Sequence, residues 1–140
     1  MTAIEKFRNF YQGLSKKDIS GLSDVYSHNI EFIDPIATHH GIETVTQYFG
    51  RLLKGTSSCD FTIHSIKSLS DDEFVAEWQM RFVSSSLKTD NPIVVDGITV
   101  AKTEGDYVTY HRDYYDMGQL AYEHVPLLGY FVRKVKGKLQ

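Results

Sequence analysis

The feature that most constrains this chain is a change of hydrophobic period near residue 55. Upstream, apolar residues recur at steps of three and four: Ile4, Phe7, Tyr11 and Leu14 share one helical face, and Ile42, Val45, Tyr48, Phe49, Leu52 and Leu53 share another. Downstream the step is two. From Ser58 onward Cys59, Phe61 and Ile63 alternate with polar residues, and Phe74, Ala76, Trp78, Met80 and Phe82 form one apolar face opposite Val75, Glu77, Gln79, Arg81 and Val83. The helical first part must therefore lay its stripes on a sheet built by the second.

Local punctuation places the elements. Thr2-Ala3-Ile4-Glu5 fits a capping box, so the first helix starts there and runs to about Ser15. Asp18 caps a second short helix carrying Ile19, Leu22, Val25 and Tyr26, which ends near His28-Asn29. Ile30 to Asp34 reads as a strand stopped by Pro35, Ile36 to Gly41 as a loop, and the stripe from Ile42 as a helix closed by Gly55. Ser70-Asp71-Asp72 and Thr103-Glu104-Gly105-Asp106 are turns, Ser84 to Asn91 is a polar connection, and Pro92 to Lys102 and Tyr107 to Met117 are strands. The order helix, helix, strand, helix and then four strands in hairpins is an α+β pattern, with helices on one side of a curved antiparallel sheet.

At 140 residues, with no internal repeat or linker, the chain is one domain's worth. Fifteen Lys and Arg against eighteen Asp and Glu leave −3, so the basic field that neutralises phosphates is missing and nucleic acid is not the expected partner. The one cysteine, Cys59, has no disulfide partner and reads as buried filler in a reducing compartment. With charges in the first residues and no long apolar run, the expected location is cytoplasmic. His39-His40, with His28 and His64, lacks the i, i+4 spacing of a metal pair, so neither a metal nor a cofactor is expected. The 13% of aromatic residues points to a sheet-rich core or an aromatic-lined cavity.

Two stretches carry a family resemblance. Ser15 to Pro35, ending Ile33-Asp34-Pro35, resembles the same region of ketosteroid isomerases; His111-Arg112-Asp113-Tyr114-Tyr115-Asp116 resembles the last strand of limonene-epoxide hydrolase and of SnoaL-like polyketide cyclases. These families share the nuclear-transport-factor-2-like cone. The resemblance spans Ile4 to Gly118, which sets residues 1–118 as the domain and 119–140 as an extension. It implies three N-terminal helices and a curved sheet enclosing a pocket.

By the same resemblance, Asp34 stands where the isomerases keep their general base and Asp96 where they keep a second, protonated carboxyl. Asp113 stands where the hydrolase keeps an acid that activates water. Strand parity independently puts His111, Asp113 and Tyr115 on one inner face, so His111 and Asp113 can share a proton. The expected catalytic residues are thus Asp34, Asp113 and His111, and the expected ligand-binding residues Tyr11, Phe32, Phe61, Trp78, Met80, Asp96 and Tyr115. The sequence also departs from both enzymes. Phe10 replaces the isomerase's helical tyrosine, with Tyr11 one position off, and Trp78 and Met80 lie on the strand that would hold the hydrolase's Arg and second Asp.

The expected function is to bind a small, largely apolar molecule and to move a proton with an inward carboxylate, as an isomerase, cyclase or lyase does, in a homodimer. The alternative is a non-catalytic binding or assembly module. The tail places Val125, Leu127, Leu128, Tyr130, Phe131 and Val132 before Arg133, Lys134, Lys136 and Lys138. Because Pro126 and Gly129 would interrupt a long amphipathic helix, it is expected to fold back on the domain or dimer and not to ride on a membrane.

Overall fold

Thr2 opens the first helix as its motif requires. Its hydroxyl accepts the Glu5 N–H at 3.2 Å, and the Glu5 carboxylate accepts the Thr2 N–H at 2.9 Å. The computed structural model describes residues 1–16, 18–85, 91–120 and 126–140. Its helices are α1 (Ala3–Gln12, followed by a 3₁₀ turn Leu14–Lys16), α2 (Leu22–Val25), α3 (Ile42–Lys54), α4 (Met117–Leu120) and α5 (Pro126–Leu139). Its strands are β1 (Tyr26–Ile33), β2 (Thr38–His40), β3 (Thr56–Ser70), β4 (Glu73–Ser84), β5 (Ile93–Glu104) and β6 (Tyr107–Tyr115). Residues 86–90 of the predicted polar connection lie outside the described residues.

The strands form one sheet in the order β2-β1-β6-β5-β4-β3. The meander β3 to β6 is antiparallel and curls, helped by register shifts in β3 between Thr56 and Ser58, Ile63 and Ser65, and Ser68 and Ser70. Curling brings β6 beside β1. These two run parallel, pairing Phe32 with His111, where an antiparallel sheet was expected throughout. The α1 and α3 stripes fill the concave side: Phe7, Leu14, Val45 and Phe49 are buried against Phe74, Ala76, Val95 and Ala101.

Three further differences have local causes. The second helix shrinks to one turn capped by Gly21, because Asp18 takes the Ser20 N–H and hydroxyl in a turn of its own. The strand that follows starts at Tyr26 and not Ile30, and the expected loop holds β2, which pairs with β1 from Glu31↔His40 to Ile33↔Thr38. Gly97 pairs with Trp78 in an unshifted ladder, where a Cβ would lie 2.3 Å from the indole. Its missing side chain makes room for Trp78.

Pro126, read as a helix breaker, sits in the first turn of α5, where its missing N–H costs nothing, and Gly129 lies buried within the continuous helix. The Lys136 ammonium bonds the Asp116 carboxylate, tying α5 to the end of β6. No helix among the described residues is long and apolar enough to cross a membrane.

Candidate functional site

Inner-face residues of β1, β3, β4 and β6 meet the α1 and α3 stripes around one cavity of about 50 Å³. Of the residues expected in the site, Tyr11, Phe32, Asp34, Phe61, Trp78, Met80, Asp113 and Tyr115 line it together. Half-buried Leu52 and Leu120 and exposed Ile36 form its outer, apolar part. A larger hollow of about 360 Å³, between α1 and α2, is open, and its acids Asp18 and Asp24 are exposed to solvent.

Asp113 sits at the end of a buried chain of hydrogen bonds. The Trp78 indole N–H donates to the Thr99 hydroxyl at 2.8 Å, and Thr99 donates to Asp113 Oδ1 at 2.6 Å. His111 Nε2 lies 2.7 Å from the same oxygen. The Tyr26 hydroxyl is 2.9 Å from His111 Nδ1 and 2.7 Å from the Tyr11 hydroxyl. One set of directions satisfies every group in the chain: Nε2–H donates to Asp113, Nδ1 accepts from Tyr26, and Tyr26 accepts from Tyr11. His111 is 0% exposed and stacks on Phe32 with centroids 4.2 Å apart, so it backs Asp113 and does not line the cavity. Among the described residues no hydrogen bond reaches Asp113 Oδ2.

Asp34 is held differently. Its Oδ1 accepts the Ile36 and Ala37 N–H groups at 2.9 and 3.0 Å, closing the Pro35 turn, and its Oδ2 accepts the Tyr48 hydroxyl. The Tyr48 ring stacks on His39 at 4.3 Å. Burial first, and then the Asp34 hydrogen bond and charge, push Tyr48 well above the ordinary tyrosine range, so it stays a donor. Tyr115 is raised by burial and then by the charges of Asp34 and Asp113. It too keeps its proton. Tyr11 and Tyr26 are raised chiefly by burial.

Asp96 is the misplaced member of the expected set. It faces outward, exposed, and accepts the Gln79 side-chain N–H at 3.1 Å, because alternation along β5 turns Val95 and Thr99 inward and Asp96 away. Thr99, Tyr48 and Tyr26 were the residues sequence reasoning missed. Parity with Val95 and Ala101 would have found Thr99, and the α3 stripe already contained Tyr48.

Comparison with known proteins follows the same lines. The family model described as SnoaL-like domain matches residues 7–111. A protein of ketosteroid-isomerase-like fold from Catenulispora acidiphila, solved with trimethylamine, superposes with a TM-score of 0.71 at 20% identity, covering 85% of this chain and 90% of that one. TerC, co-crystallised with polyporic acid, gives 0.70 at 15% identity over 82% and 92%. An epoxide hydrolase of M. tuberculosis, like limonene-epoxide hydrolase, gives 0.68 at 16% over 82% and 83%. At these identities the likeness establishes the fold. No curated protein sequence matches the chain.

Proposed function

The chain belongs to the SnoaL-like domain family, and from that premise we propose that its cavity takes a small, largely apolar carbonyl compound and that Asp113 is the general base. The observation that carries this reading is the asymmetry of one cavity-lining carboxylate, whose Oδ1 takes Thr99 and His111 while no hydrogen bond among the described residues reaches Oδ2. A base needs an unspent lone pair within reach of the proton it removes. Oδ2 takes the proton from a carbon beside the carbonyl, the C–H pair becomes the enolate double bond, and the Tyr115 hydroxyl donates to the developing oxyanion. In a ligand with a double bond one carbon further on, Asp113 returns the proton to the far carbon of the dienolate and completes an isomerisation; in one with a second carbonyl, the enolate carbon attacks that carbonyl carbon, its π pair moves to its oxygen, and this oxygen takes the proton back from Asp113, completing an aldol-type cyclisation. Thr99 and His111 act through Asp113 as positioning residues.

TerC, which has this fold and was co-crystallised with polyporic acid, supports the reading that such a cavity takes a small molecule. The test follows proton exchange at carbons beside the carbonyl in a panel of apolar ketones, by NMR in heavy water. Wild type should exchange at least one of them, and Asp113→Asn should slow that exchange by ~10²–10⁴-fold. Equal exchange by wild type and variant contradicts the assignment, and would leave the non-catalytic binding module as the better account.

A further inference from the structure

Outside the cavity, α5 carries an uncovered surface of two kinds. Phe131, Val135 and Leu139 follow at steps of four and are 53%, 57% and 82% exposed. At about 100° per residue they form a stripe along one side of the helix, bordered by exposed Lys134 and Lys138. From Pro126 to Gln140 the chain has four cations and no acid, which leaves eleven cations and eighteen acids, or −7, on the preceding residues. The molecule is therefore polarised, acidic over the cone and cationic where the apolar stripe is bare.

We propose that α5 docks on an anionic bilayer surface. It lies in the interface plane, with Phe131, Val135 and Leu139 toward the acyl boundary and the stems of Lys134 and Lys138 reaching up to the phosphates. The helix that Pro126 and Gly129 were expected to break is continuous, so the stripe and its cations act as one surface. The four cations of α5, with no acid among them, complement an anionic lipid surface, and a bilayer also takes the bare apolar stripe that they border; a second copy of the chain is an outcome of the test. Lys136 bonds Asp116, the neighbour of cavity-lining Tyr115, so docking brings the rim of the pocket toward the lipid.

The test is co-sedimentation of the full chain with phosphatidylcholine vesicles, with and without phosphatidylglycerol, at low and high salt. Binding should require phosphatidylglycerol and fall at least tenfold as salt rises. Val135→Glu should abolish it, and Lys138→Ala should weaken it about fivefold, both with an unchanged thermal midpoint. Failure to bind anionic vesicles overturns the proposal, as does binding indifferent to salt and to Lys138→Ala. A Val135→Glu protein that unfolds early, or turns a dimer into monomers, would show the stripe covered by the domain or by a second copy, and overturns it too.

Discussion

Asp34 and Asp113 line one cavity, one in the turn after β1 and the other within β6, yet their surroundings hold them differently. Both oxygens of Asp34 are taken, by two turn N–H groups and the Tyr48 hydroxyl. Asp113 spends one oxygen on Thr99 and His111 and keeps the other. A carboxylate saturated with donors shapes its turn and orients a tyrosine, while one gripped from behind stays positioned and reactive. Hydrogen-bond accounting, and not mere presence in the pocket, separates the two acids.

The largest effect that should bear on this contrast comes from the Asp113 side. Trp78→Ala removes the first donor of the chain together with a buried aromatic wall, so it should cost ~3–5 kcal/mol in urea unfolding. A loss under about 2 kcal/mol would mean that Trp78 lines an already open space and does not brace Thr99. Next, Asp34→Ala orphans its three donors and should cost ~2–3 kcal/mol, while lowering proton exchange less than about tenfold. The reverse pattern, full stability with lost exchange, would exchange the roles of the two acids.

A smaller effect tests the far end of the chain. Tyr26→Phe leaves His111 Nδ1 and the Tyr11 hydroxyl without their partner and should cost ~1–2 kcal/mol near neutrality. The pH dependence has a definite sign. Burial raises Tyr26 above its ordinary value of 10.0, so from about that pH upward the unfolded chain releases a proton that the folded chain keeps. Stability from this group is complete below pH 10 and is lost as pH climbs, and the alkaline fall should be shallower in Tyr26→Phe. Thermal melts across that range measure it. The smallest effect touches neither acid: Lys136→Ala should cost less than ~1 kcal/mol, because its pair with Asp116 is well exposed to solvent. A larger loss would mean that α5 supports the end of β6.

What the sequence made legible was what local physics decides. The capping box at Thr2, the α3 stripe, the inner face of β4 and the shared face of His111, Asp113 and Tyr115 depend on periods of 3.6 and 2, and each is seen in the structure. Long-range contacts hid the rest. Tyr26 looked helical, but its hydroxyl is claimed by His111, 85 residues away, and this draws β1 back to Tyr26. The three-residue β2 has too few positions to show a period, and the parallel β1–β6 pairing exists only once the meander has curled. Asp96 misled because the resemblance that placed it in the site does not say which face of a strand a residue takes, and alternation along β5 turns it outward. Thr99, three residues on, was the inward polar group.

The central claim is that Asp113 and not Asp34 offers its carboxylate to the ligand. The most direct measurement is carboxyl-carbon NMR of protein labelled at aspartate, assigned through Asp34→Asn and Asp113→Asn, before and after saturation with an apolar cyclic ketone. The account predicts that the Asp113 signal moves while the Asp34 signal, fixed by its three donors, stays where it was. A shift at Asp34 with Asp113 unmoved would contradict it.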